Sequence, residues 1–117
     1  MNIKIKFKNK KITLKEIIIA WNYLKIRGLM FRKKEKAPIL LFEMQKPASI
    51  HSFFVFFPFI VLWLNNKNKV VDYRIIRPFS PYINTTHKFS KIIEIPISRR
   101  YYDRVNFLVG ERFKKSK

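Results

Sequence analysis

Apolar and charged residues alternate strictly at the start of the chain: Ile3, Ile5 and Phe7 are separated by Lys4, Lys6 and Lys8. A period of two puts one set on each face of a strand, apolar inward and cationic outward. Such a lysine row also guards a sheet edge against unwanted pairing. The pattern then changes. Thr13-Leu14-Lys15-Glu16 has the form of a capping box, and Leu14, Ile17, Ile18, Trp21 and Leu24 follow at helical spacing. Gly28 stands where a C′ residue belongs, so the spacing predicts a helix from about Leu14 to Arg27 with its apolar stripe on a sheet. The β-branched run Ile17-Ile18-Ile19 is the one local argument against it.

Beyond Gly28 the signals are those of strands and turns. Residues 33–38 read as a charged loop ending at Pro38, and Ile39 to Met44 as a short buried strand. Ile50 to Phe57 and Ile60 to Leu64 read as two strands meeting at Pro58. Asn65-Asn66-Lys67-Asn68-Lys69 is a hairpin turn, because Asn tolerates positive φ, and Val70 to Ile76 returns as a strand. Two prolines in Arg77-Pro78-Phe79-Ser80-Pro81-Tyr82 exclude regular structure, so a surface loop anchored by Phe79 and Tyr82 is expected. Phe89 to Ile95 alternates again, Ser98 suits the cap of a short helical turn through Val105, and Phe107 to Phe113 reads as a last strand. Lys114-Lys115-Ser116-Lys117 is expected to fray. The sum is a single mostly-β (α+β) domain over residues 1–117: a β-sandwich or partly open barrel with one long N-terminal helix packed against it.

Composition narrows the function classes. The 117 residues carry 26 Lys and Arg against 7 Asp and Glu, a net charge of +19. Such a field draws polyanions at low salt, so RNA or DNA is the expected partner. An AT-rich genome also favours Lys, Ile, Asn and Phe together, but it does not account for the scarcity of acids. With no cysteine there is no disulfide scaffold, thiolate zinc site or Cys nucleophile. The most apolar run, Phe53 to Leu64, is broken by Pro58 and is shorter than the roughly twenty residues a spanning helix needs. No secretory leader is expected either, because lysines interrupt the first residues, and the expected location is the cytoplasm.

Several segments also occur in a familiar order: Arg27-Gly28-Leu29-Met30-Phe31-Arg32, Ile50-His51-Ser52-Phe53-Phe54-Val55-Phe56-Phe57-Pro58, Lys69-Val70-Val71, Arg77-Pro78-Phe79, Ile93-Glu94-Ile95-Pro96 and Val109-Gly110-Glu111. This order resembles the domain of unknown function 192 family, a set of small archaeal and bacterial proteins, over roughly Ile12 to Phe113. The chain departs from the family pattern after Pro58, where Phe59-Ile60 replaces an apolar residue and an Asp, and at the turn, which has no glycine. The resemblance implies a compact β-rich fold with one long helix and implies no reaction.

No catalytic constellation is visible. None of the seven acids pairs with another at helical spacing, the only glycines are Gly28 and Gly110, and no serine lies in a nucleophile elbow. No metal site and no cofactor are expected from two histidines without cysteine. The candidate anion- or ligand-binding residues are Arg27 and Arg32, whose guanidinium forks flank Gly28 to Phe31, His51 at the head of an apolar strand, and Arg99 and Arg100 at a helical start. Phe79, Tyr82, Tyr101 and Tyr102 are candidate stacking faces beside these charges. An alternative to a nucleic-acid-binding domain is a small-ligand module or an unrecognised enzyme with its pocket near Arg27, Arg32 and His51.

Overall fold

In the computed structural model the described residues are 1–19, 33–43, 55–79 and 83–109. They build seven strands and one helix: β1 (Ile3–Phe7), β2 (Lys10–Leu14), β3 (Ile18–Ile19), β4 (Leu40–Glu43), β5 (Phe59–Leu64), β6 (Val70–Ile76), β7 (Lys91–Pro96) and α1 (Tyr102–Val109). β1 and β2 form a two-stranded antiparallel ribbon. The other five form one sheet in the order β3-β4-β7-β5-β6, antiparallel except for the β3–β4 pair. The mostly-β class with two sheets is thus the architecture.

β5 explains the apolar run that dominates the sequence. It lies between β6 and β7, and all six of its residues are buried. Its side chains divide by parity. Ile60, Leu62 and Leu64 join Leu41, Ile93 and Ile95 in one core, capped by Ile3, Ile5 and Phe7 of the ribbon and by Tyr101, Val105 and Leu108 around α1. Phe59, Val61 and Trp63 join Leu40, Phe42 and Ile92 in a second core on the other face, with Val55 and Phe57 over it. A strand covered on both faces loses its apolar–polar alternation, so it reads as one continuous hydrophobic stretch. No helix among the described residues is long and apolar enough to cross a membrane.

The long N-terminal helix is not formed where the structure describes it. Leu14 ends β2, Ile18–Ile19 are β3, and residues 20–27 lie outside the described residues. The competing signal is the alternation Lys11, Ile12, Thr13, Leu14: Ile12 pairs with Ile5 and Leu14 with Ile3, closing the inner face of the ribbon. Thr13 is committed to this ladder opposite Lys4. Glu16 takes φ 59°, a left-handed conformation incompatible with a helix. The capping box therefore does not form.

The second half follows its pattern more closely. The Asn65 side-chain carbonyl oxygen accepts from the Lys67 and Lys69 N–H groups at 2.9 and 3.0 Å, and Asn68 adopts φ 61°, closing the β5–β6 turn as its asparagines suggest. Ser98 occupies the N-cap position without a side-chain cap bond; the Tyr101 N–H donates to the Ser98 carbonyl at 2.9 Å instead. The expected strand from Phe107 is replaced by the end of α1, with residues 110–113 outside the described ones. Tyr101, Val105 and Leu108 recur at i, i+4, i+7 and face the first core, which is the signal that decides for helix. Val55 to Phe57 alternates in burial but joins no ladder, so the expected strand there is not seen over those residues, and 50–54 are not described.

The ribbon turn supplies a direct test. Phe7 pairs with Lys10, leaving Lys8 and Asn9 as a two-residue link with Lys8 at φ 54°. Glycine takes such a conformation without steric cost, whereas a side chain resists it. Lys8→Gly is expected to raise stability by up to about 0.5 kcal/mol, the relief of turn strain outweighing the added chain entropy of the unfolded state and the loss of the Lys8 ammonium from over the Phe7 ring, 5.4 Å from its centroid. A denaturant midpoint that falls on this substitution would contradict the assignment of strain to Lys8.

Candidate nucleic-acid interface

The register of the ribbon sorts its side chains. Directly paired residues share a face, so Ile3, Ile5, Ile12 and Leu14 point to the core, while Lys4 opposite Thr13 and Lys6 opposite Lys11 point outward. Lys4, Lys6 and Lys11 are all exposed. The Lys6 N–H donates to the Asn68 carbonyl at 3.0 Å, and Lys6 bridges to Lys69, which brings the exposed Lys67 and Lys69 of the β5–β6 turn beside the ribbon. None of these five lysines forms an ion pair among the described residues. Lys6 directly opposite Lys11 is a like-charge pair, which costs the ribbon a few tenths of a kcal/mol or more.

Other lysines are engaged elsewhere. Lys10 Nζ lies 5.3 Å from the centroid of the Phe107 ring and donates to the Phe107 carbonyl at 3.4 Å, tying the ribbon to the end of α1. Lys91 Nζ donates to the Asn68 side chain at 2.7 Å.

A second cationic cluster surrounds the start of α1. The Arg100 and Arg104 guanidinium groups lie 5.1 and 5.6 Å from the Tyr101 ring centroid. Arg100 pairs with Glu16 at 3.3 Å, and Arg104 donates to the Arg100 carbonyl at 3.2 Å. Tyr101 is only 1% exposed, so the surface here is presented by guanidinium groups rather than by the ring. Burial holds its phenol above the usual range, against the opposing pull of Arg100 and Arg104. Arg99 is exposed and Tyr102 half-buried beside it. Phe79, expected as a loop anchor, is instead exposed with φ 61°. Arg27, Arg32, His51 and Tyr82 lie outside the described residues, so the pocket expected near the first three is not described.

One group escaped the sequence reading. Glu94 lies in the middle of β7, directly between Leu40 of β4 and Val61 of β5, on the face of the second core. It is 6% exposed and has no hydrogen bond or ion pair among the described residues. Desolvation pushes its carboxyl up to about 8, so it is largely neutral at pH 7. The signal was its setting: a single acid in Ile92-Ile93-Glu94-Ile95, where residues on both sides read as buried. No group of three or more potential metal ligands occurs among the described residues.

Comparison with known proteins places the fold and no more. No family model and no curated protein matches the chain. Among solved structures, a protein of unknown function from Novosphingobium aromaticivorans superposes with a TM-score of 0.65 at 13% identity, over 81% of this chain and 71% of that one. A protein from Sinorhizobium meliloti provisionally assigned as a transcription regulator superposes with a TM-score of 0.64 at 14% identity, over 80% of this chain and 76% of that one.

Proposed function

We propose that the protein is a non-enzymatic β-rich domain that binds nucleic acid through the outer face of the β1–β2 ribbon, acting in the cytoplasm. The observation that carries this reading is the exposed lysine set Lys4, Lys6, Lys11, Lys67 and Lys69, which forms no ion pair among the described residues, with Lys6 and Lys11 held opposite one another at a cost to the folded chain. Phosphates laid on that face reverse the sign of the repulsion and release counterions. Two lysines at i and i+2 on one strand stand about 7 Å apart, a spacing that lets successive cations follow a phosphate backbone. Arg99, Arg100 and Arg104 extend the cationic surface at the start of α1. That one structural neighbour carries a provisional assignment as a transcription regulator is compatible with the reading.

The test is a gel-shift titration of the full chain against single-stranded and duplex RNA and DNA over a salt series. Retardation that weakens steeply with salt is the expected result. No retardation of any of the four at about physiological salt sinks the reading.

Membership of the domain of unknown function 192 family is likewise our proposal. It rests on the ordered motif residues, of which Arg77-Pro78-Phe79 begins the segment leaving β6 and Ile93-Glu94-Ile95-Pro96 lies within β7. The second functional reading, a small-ligand module, is favoured by one observation, the buried carboxyl of Glu94, which has no partner among the described residues. Thermal-shift screening against small anionic and neutral metabolites, with His51→Ala as control, separates it from the first reading. A metabolite that protects wild type but not the variant favours the small-ligand module.

A further inference from the structure

Five large apolar side chains are exposed among the described residues: Met1, Ile18, Phe56, Phe79 and Phe107. Phe107 lies under the Lys10 ammonium. Phe56 and Phe79 differ from the others in touching each other. They are 60% and 51% exposed, with ring centroids 5.7 Å apart at an interplanar angle of 70°. Phe56 comes from the segment entering β5 and Phe79 from the segment leaving β6, so the pair sits at the Phe59–Ile76 end of that ladder.

Burial does not explain this pair. Phe79 holds φ 61°, which costs a side-chain-bearing residue roughly 1–2 kcal/mol. An edge-on aromatic contact returns about 0.5–1.5 kcal/mol, so the contact and the strain nearly cancel. The remaining result is an aromatic surface displayed to solvent on a strained backbone, a combination that points to a binding role.

We infer that Phe56 and Phe79 form a stacking platform for the bases of a single-stranded nucleic acid, an inference that rests on the ribbon being the phosphate-binding face. Charge complementarity selects this occupant: the chain carries +19, and the exposed Arg74 lies two residues before Ile76 on the same face of β6. Every base has a π-face, so stacking adds affinity without requiring a particular sequence. A duplex keeps its bases stacked on one another and offers none to the platform. The ribbon meets β6 at the Lys69 end, whereas the platform lies at the opposite end, about 20 Å away for six residues of strand. The occupant is therefore an extended strand of several nucleotides rather than a mononucleotide.

The experiment measures fluorescence anisotropy of the full chain with a labelled oligothymidylate about a dozen nucleotides long, and with an abasic strand of equal length and charge. Wild type is expected to bind the oligothymidylate on the order of tenfold or more tighter than the abasic strand. Phe56→Ala and Phe79→Ala should each reduce that preference towards unity and leave abasic affinity unchanged. Phe56→Ala does not alter the strained position, so it reads the platform even if Phe79→Ala disturbs the loop. Equal, tight binding of both strands by wild type overturns the platform and leaves the ribbon standing. Failure of both strands to bind at about physiological salt overturns the platform, and the ribbon falls with it only if RNA and duplex DNA are not retarded either. If Phe56→Ala instead abolishes self-association in sedimentation while the base preference persists, the pair is a contact between copies and the inference fails.

Discussion

Glu94→Gln is expected to remove most of the pH dependence of stability between about pH 5 and pH 8, and to make the protein more stable than wild type at pH 8. In the unfolded chain this carboxyl titrates near 4.5; in the folded protein burial pushes it up to about 8. Between those values the folded state holds a proton that the unfolded state has released. The unfolded state binds fewer protons, so stability falls as pH rises across the window. The stabilisation belongs to low pH: it is fully present below about 4.5 and exhausted above about 8. The slope is at most about 1.4 kcal/mol per pH unit, and the whole window amounts to something on the order of 5 kcal/mol, comparable with the total stability of many domains. An amide of the same shape stays neutral throughout and does not carry that term. Denaturant unfolding of both proteins at four pH values between 5 and 8.5 measures it. Parallel profiles would mean that Glu94 ionises in the folded state at its ordinary pH, through a partner or through water.

How much of this was legible in the sequence depended on whether an element faces one environment or two. β1 and the β5–β6 turn could be read because local chemistry decides them: strict alternation in one, asparagines tolerating positive φ in the other. β5 was legible as a buried strand because a short run rich in β-branched and aromatic residues has few other solutions. The expected helix from about Leu14 fails over Leu14 to Ile19 because two periods overlap there. Ile12 and Leu14 alternate, while Leu14, Ile17 and Ile18 also fit a helical stripe, and only the pairing partners Ile3 and Ile5 decide between them. That information is nonlocal. α1 was underestimated for a similar reason, since Phe107 to Val109 is apolar enough for a strand and its helical phase is set by Tyr101 and Val105 against the first core.

The same division holds for the candidate site. The excess of positive charge is plain in the sequence, but the placing of Lys6 beside Lys11 and Lys69 requires the register of the ribbon and its bridge to the β5–β6 turn. Phe79 was named as a stacking face, whereas its partner Phe56 lies 23 positions earlier and meets it only through the β5–β6 ladder.

Replacing Lys4, Lys6 and Lys11 together by glutamine is expected to weaken single-stranded nucleic-acid binding by roughly a hundredfold at 0.1 M salt, and to lower the salt slope by about two, since each lost phosphate contact removes about 0.7 from the slope on a single strand. The fold should tolerate the change. All three side chains point away from both cores, and glutamine at position 6 or 11 removes the like-charge pairing, so the triple variant should be at least as stable as wild type. Opposite signs for binding and stability separate a functional lysine face from a compositional one. If charge were merely scattered over the surface, removing any three exposed lysines would weaken binding equally. Lys33, Lys34 and Lys36 supply that comparison, because they are exposed in a short 3-10 turn separate from the ribbon. The matched triple there has the same net charge, so long-range attraction falls by a similar amount in both variants. A hundredfold loss confined to the ribbon set shows that the phosphates are held at Lys4, Lys6 and Lys11. Equal losses from the two sets would show that only the total charge matters.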